Sequence, residues 1–133
     1  MAGYSGKPLV EKLGIRSGHS LALLSAPPAF DVTLGPLPAD VTVRRRAGAA
    51  DVALLFARAA RDLERRFAAS AATLRPGGML WVAWPKKASG VATDLTENVV
   101  RDIGLEAGLV DVKVCAIDEI WSGLKFVRRR APA

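Results

Sequence analysis

Three short, almost uninterrupted runs of apolar residues constrain the fold of this chain more than any other feature. They read SLALL at residues 20–24, DVALLFA at 51–57 and MLWVAW at 79–84. Each run has the length of a β-strand. Strands that are apolar on both sides are typical of parallel sheets whose two faces are covered by helices. The sequence therefore predicts an α/β fold with such a sheet as its middle layer.

The segments around these runs predict the other elements. A short helix is predicted within residues 1–14, a strand at 40–45 and strands at 110–117 and 124–129 that form an antiparallel hairpin. Asp94 and Glu97 have the spacing of a capping box and predict a helix that ends near Gly108. A longer helix, ended by residues 76–78, is predicted where apolar residues recur at helical spacing: Phe56, Ala60, Leu63, Phe67, Ala71 and Leu74.

Length and composition predict one domain and a cytoplasmic location. The 133 residues suffice for a single Rossmann-like domain over 1–133, with a basic tail at 128–133. No apolar run approaches the ~20 residues of a membrane-spanning helix, and residues 1–20 lack the apolar core of a signal peptide. A single cysteine, Cys115, excludes an intramolecular disulfide. The net charge of +6 favours anionic partners.

Two segments carry a resemblance to a known family. LRPGGML at residues 74–80 and the closing hairpin at 109–130 resemble the class I S-adenosylmethionine-dependent methyltransferases. The resemblance implies a reduced, methyltransferase-like fold of three layers, whose mostly parallel sheet is closed by an antiparallel hairpin. The stretches MAGYSGKPLVEKLGI and WPKKASG also resemble a small bacterial family of unknown function, and this second resemblance implies no activity.

Three departures from the methyltransferase pattern argue against ordinary cofactor use. Residues 25–28, Ser-Ala-Pro-Pro, stand where the family has a glycine-rich turn that lets the backbone approach its ligand. Residues 44–46 are arginines where the family carries a carboxylate for the ribose hydroxyls. The stretch LLFARAARD at 54–62 lacks the reactive motif that some families place after the fourth strand. We therefore expect that the chain uses no cofactor, with S-adenosylmethionine as the less favoured possibility.

The predicted ligand site lies beyond the carboxyl ends of the parallel strands, where α/β sheets bind their ligands. Tryptophans beside basic side chains at this edge can stack on a flat anion. In the alternative interpretation, Trp84 and Trp121 pack together while Lys86 and Lys87 pair with Asp118 and Glu119 on the surface. With one histidine, His19, and one cysteine, no catalytic or metal site is predicted. The candidate ligand-binding residues are Ser25, Pro27, Arg44, Trp84, Lys86, Lys87, Glu119 and Trp121.

Three hypotheses about function follow from these residues. The first is a methyltransferase-like binding or regulatory domain without autonomous methyl transfer, which binds an anionic small molecule or an acidic protein surface. The alternative is a divergent S-adenosylmethionine-dependent methyltransferase. The second alternative is weak nucleic-acid binding through the clustered arginines, although no recognition motif is present. The sequence thus favours a binding protein over an enzyme.

Overall fold

The computed structural model describes residues 7–129, in which six strands form one sheet of order β2-β1-β3-β4-β6-β5. Strands β1 to β4 run parallel, whereas β6 runs antiparallel to both β4 and β5. The predicted α/β fold, a mostly parallel sheet closed by an antiparallel hairpin, is confirmed. The strands are β1 Ser20–Leu24, β2 Thr42–Arg44, β3 Ala50–Phe56, β4 Leu74–Pro85, β5 Leu109–Ala116 and β6 Trp121–Arg128.

Helices cover both faces of the sheet and create two core clusters. The helices are α1 Leu9–Lys12, α2 Phe30–Leu34, α3 Ala60–Ala72 and α4 Glu97–Glu106. One cluster packs the sheet against α3 and α4, with Phe67 and Phe126 in edge-to-face contact. The other lies on the side of α1 and α2, where the buried indole of Trp81 donates to the carbonyl of Leu13 at 2.9 Å. No helix within residues 7–129 is long and apolar enough to cross a membrane.

The end of α3 differs from the prediction. The helix ends at Ala72, and residues 76–78 lie within β4 instead of ending the helix. Leu74 pairs with Ala50 before the register shifts, so the strand begins earlier than its apolar run. Gly77 permits this irregular stretch because its φ of +78° belongs to the left-handed region that favours glycine.

Both ends of α3 are capped by residues from distant parts of the chain. Asp94 does not begin α4 as predicted, because Thr96 caps that helix by accepting from the Val99 amide. The Asp94 carboxylate instead accepts from the Ala60 amide, the first of α3, at 2.7 Å. At the other end, Arg128 donates to the carbonyls of Ala71 and Leu74. Arg128 thus belongs to β6 and contacts α3; residues 130–133 of the predicted tail, and residues 1–6, lie outside the described residues.

The turn after β1 has left-handed backbone at residues that are not glycine. Ser25 has a φ of 60° and Ala29 a φ of 64°. Such a conformation costs roughly 1–2 kcal/mol for a residue with a Cβ atom. The turn therefore has backbone conformations that favour glycine, although neither Ser25 nor Ala29 is glycine.

We expect Ala29→Gly to stabilise the protein. Relief of the left-handed strain exceeds the ~0.5–1 kcal/mol that glycine's extra chain entropy costs, so the expected gain is about 0.5–1 kcal/mol. The measurement is urea-induced unfolding followed by circular dichroism. The control is Ala26→Gly, at a position without positive φ, which should lose stability. Equal losses in both variants would contradict the prediction.

Gly104→Ala should destabilise the protein even though alanine is the better helix former. Gly104 is a buried residue of α4, and a methyl group there would overlap the ring of Phe126, which is fully buried. Overpacking costs about 1–3 kcal/mol, against a helix-propensity gain of about 1 kcal/mol. Asp102→Ala, on the exposed side of α4, serves as the control. Thermal unfolding of both variants tests this, and a Gly104→Ala variant as stable as the parent would refute it.

Candidate functional site

An open cleft of about 530 Å³ lies at the carboxyl ends of β1 and β3. Its lining comes from the turn at 25–28, from residues 56–59 between β3 and α3, from the first turns of α3 and from Trp121 at the start of β6. Parallel strands bring these segments together because their carboxyl ends share one edge of the sheet. The cleft is therefore at the edge where the sequence predicts a ligand site.

One wall of the cleft is aromatic and rigid. Phe56 contacts Phe30 on one side and Trp121 on the other, with ring centroids 4.9 and 5.0 Å apart and both pairs edge to face. Phe56 is 2% exposed and Trp121 8% exposed, so these rings are held by the core behind them. Such a wall suits a flat, apolar part of a ligand.

Another wall of the cleft is polar and centres on Arg66 of α3. Its guanidinium donates to Asp62 at 2.7 Å, to the Ser25 hydroxyl at 2.6 Å and to the Phe56 carbonyl at 3.3 Å. Arg66 thus connects α3 to the ends of β1 and β3. Because Ser25 Oγ accepts this bond, the serine in the turn has a specific partner.

Asp62 carries a negative charge into this wall. Burial raises its pKa, but hydrogen bonds and charges from Arg66, and then from Arg65, outweigh burial and lower the pKa below its ordinary value. Arg65 donates to Asp62 at 2.8 Å. The carboxylate is therefore ionised at neutral pH, held between two guanidinium groups.

Asp62 and Arg66 line the cleft but are not among the ligand-binding residues predicted from the sequence. Helical periodicity identifies which residues of a helix lie outside the core. It does not identify which of those residues lie near the carboxyl edge of the sheet. The available signal was position, because the first turns of a helix that follows a parallel strand lie at the ligand-binding edge. Arg66 is two turns into α3 and reaches back to that edge with its long side chain.

Ser25, Pro27 and Trp121 of the predicted site residues line the cleft. Trp84 does not, because it pairs with Ser122 while Trp121 pairs with Pro85, and neighbouring positions in a strand face opposite sides of the sheet. Trp84 is 5% exposed in the cluster beneath α3 and α4, whereas Trp121 belongs to the other cluster. The two tryptophans are thus separated by the sheet.

The remaining predicted residues do not line the cleft. Arg44 is half-buried beside Gly48, and its Nε has no hydrogen-bond partner within residues 7–129. The Lys86 amide donates to the Ile120 carbonyl at 2.7 Å, which joins the WPKK segment to the β5–β6 connection. Lys87 and Glu119 are exposed in those two segments. Ligand binding by these residues stays a prediction.

His19 and Cys115 lie apart from the cleft. His19 precedes β1, at the amino edge of the sheet, and its Nδ1 accepts from the Arg16 amide at 3.0 Å. Burial raises the pKa of the half-buried Cys115 thiol in β5. Within the described part of the chain, no three His, Cys, Asp or Glu residues form a group that could hold a metal ion.

Solved structures with the same fold are methyltransferases. They include precorrin-6y C5,15-methyltransferase from Geobacter metallireducens GS-15, at 10% identity and a TM-score of 0.62, with 91% of this chain and 86% of that chain covered. Magnesium protoporphyrin IX methyltransferase from Synechocystis PCC 6803 with bound SAM has 12% identity, a TM-score of 0.60 and coverages of 91% and 74%. A third is 1,6-didemethyltoxoflavin-N1-methyltransferase from Burkholderia thailandensis with bound S-adenosylhomocysteine, at 14% identity, a TM-score of 0.59 and coverages of 89% and 73%.

No family model and no curated protein matches the sequence, so the resemblance to a small bacterial family stays a prediction. The structural neighbours correct another expectation, that no cofactor is used, because solved structures of this fold hold S-adenosylmethionine or S-adenosylhomocysteine. The three departures in sequence had argued against a cofactor, yet the turn at 25–28 borders an open cleft. The chain therefore has the Rossmann-like fold of the S-adenosylmethionine-dependent methyltransferases.

Proposed function

We propose that this chain is a divergent methyltransferase that binds S-adenosylmethionine in the cleft beside Arg66. The observation that carries the proposal is the composition of the cleft, in which the ionised Asp62 and Arg66 line the same cavity as the aromatic residues Phe56 and Trp121. The similarity of fold supports the proposal but does not by itself assign a ligand.

The residues of the cleft fit this cofactor in size and chemistry. The volume of about 530 Å³ is within the ~300–1,000 Å³ of small-molecule sites. S-adenosylmethionine has a flat adenine, which suits the aromatic wall, and an amino-acid end with opposite charges. The carboxylate of Asp62 and the guanidinium of Arg66 match those charges. The family's carboxylate at the end of β2 is replaced here by an arginine, Arg44. This residue does not line the cleft, so the replacement does not change the cleft's lining.

The bound cofactor would supply a methyl group that is electrophilic because it is attached to a positively charged sulfur. Asp62 would offset positive charge in the cleft, and Arg66 would hold the ligand's carboxylate against the end of β1. The buried aromatic wall would orient the ligand and exclude water from one side. Among the described lining residues Asp62 is the one acid, and two arginines engage it. The acceptor should therefore be a group that is nucleophilic without loss of a proton.

The acceptor is further proposed to be anionic and the protein to act in the cytoplasm. A net charge of +6 favours encounter with negatively charged molecules. Arg58, at the end of β3, adds a positive charge to the lining of the cleft. The cytoplasmic location rests on the single cysteine.

Binding of S-adenosylhomocysteine tests the cofactor directly. At a concentration one hundred times its Kd, a ligand that binds only the folded protein adds about 2.7 kcal/mol of stability, which gives a clear rise in Tm. Calorimetric titration should show one site per chain. Absence of both heat and thermal shift at millimolar ligand would refute the proposal. Release of S-adenosylhomocysteine from S-adenosylmethionine with a panel of anionic acceptors then tests transfer.

Asp62→Asn should weaken S-adenosylhomocysteine binding by about tenfold. The substitution removes the negative charge that the ligand's ammonium group would meet while keeping the shape of the side chain. The matched control is Asp102→Asn, the same change on the exposed side of α4, which should bind like the parent. Unfolding of both variants without ligand separates a loss of affinity from a loss of fold. Equal affinities in the two variants would exclude Asp62 from the binding site.

A further inference from the structure

A second, smaller cavity adjoins the cleft and has a different chemical character. It has a volume of about 310 Å³ and lies between the residues that follow β2 and the outer side of α3. Ser25 and Arg66 line both this cavity and the cleft, so the two are neighbours. We name it the arginine groove after the four side chains that it gathers: Arg45, Arg46, Arg65 and Arg66.

The groove exists because β2 is short and lies at the edge of the sheet. β2 pairs with β1 over three residues only, from Thr42 to Arg44. Beyond Arg44 the chain leaves the sheet, and residues 45–47 face α3 across open space. Arginines from two elements distant in sequence thereby converge on one concave surface.

Positive charge in the groove exceeds the negative charge that compensates it. Asp62 is shared by Arg65 and Arg66, and Asp31 pairs with Arg45 at 3.0 Å. Neither carboxylate lines the groove. Arg46 has no ion pair within residues 7–129. The Arg45–Asp31 pair is exposed, and such pairs hold their partners weakly, so Arg45 can turn to another anion.

We propose that the arginine groove binds the phosphate group of a small molecule. This small molecule is the acceptor of the methyl group. The role as acceptor rests on the proposed function, whereas phosphate binding does not. Guanidinium groups bind phosphate oxygens through paired hydrogen bonds, and several of them together match a group with two negative charges. Because Ser25 and Arg66 are common to both cavities, the rest of the molecule can extend from the groove into the cleft.

The shape of the groove favours a small molecule over a nucleic acid. Its volume of about 310 Å³ is at the lower limit of small-molecule sites. A nucleic-acid surface needs a stripe of positive charge along several phosphates, but acidic Asp62 and Glu64 interrupt the arginines of α3. The groove therefore presents one compact cluster of positive charge.

Calorimetric titration with inorganic pyrophosphate, at 50 and 200 mM salt, tests the groove. We expect saturable binding that weakens with salt and that Arg46→Ala reduces about tenfold. Arg46 is exposed and engages no described carboxylate, so its removal should leave the fold intact. The matched control is Arg61→Ala, an exposed arginine of α3 outside the groove, which should bind pyrophosphate like the parent.

The outcomes separate this inference from the proposed function. Phosphate binding in the arginine groove would be refuted, even if S-adenosylhomocysteine binds, by either of two results. One is pyrophosphate binding that Arg46→Ala leaves unchanged, and the other is no pyrophosphate binding at 50 mM salt. Tighter binding of a ten-nucleotide DNA strand than of pyrophosphate, with dependence on Arg61, would identify a nucleic-acid surface and also overturn it. If S-adenosylhomocysteine fails to bind while pyrophosphate binds through Arg46, the groove stands and the role as acceptor site falls.

Discussion

The position of α3 is the constraint on which both cavities depend, and this position is fixed at the two ends of the helix. Asp94 accepts from the first amide of the helix, and Arg128 donates to carbonyls at its last turn. The negative group at the amino end and the positive group at the carboxyl end also stabilise the helix, because each interacts favourably with the helix dipole. Phe67 then anchors the middle of the helix in the core. With the helix held in this way, Arg66 can reach the turn after β1 and line both the cleft and the arginine groove.

The elements that the sequence predicts well are those that local pattern determines. The run SLALL becomes β1 without change of boundary, and DVALLFA shifts by only one residue at each end to become β3. These strands are buried on both faces, so their composition alone identifies them. The polar partners are different. Asp94 has the local spacing of a capping box for α4, but its amide partner is in α3, 34 residues earlier. A window of the length of one helix does not contain both Asp94 and the Ala60 amide, so local sequence pattern cannot identify this hydrogen bond.

In the candidate site, too, residue type alone does not predict the structure. Absence of glycine at residues 25–28 was one of three departures on which the expectation of no cofactor rested. The structure has left-handed backbone at Ser25 and Ala29, so the turn retains the path that glycine would make easy. The bond from Arg66 to Ser25 is one contact that holds this turn, and strained backbone of this kind persists only where the surrounding structure fixes it. Trp84 illustrates the opposite case, because residue type made it a candidate and strand alternation buried it in the other layer.

The place of β6 in the sheet determines when this site can form as the protein is made. β6 is the last strand within residues 7–129, yet it lies between β4 and β5 and is not at an edge. It also carries Trp121 for the cleft wall and Arg128 for the end of α3. A ribosome synthesises the chain from its amino end, so the five strands β1 to β5 emerge before the interior strand that completes the sheet. Until then β4 presents an unpaired edge, and both the aromatic wall and the carboxyl-end cap of α3 are missing. The complete cleft therefore has to await the synthesis of β6, and a chain that stops before residue 121 retains the arginines of the groove but lacks Trp121 from the aromatic wall.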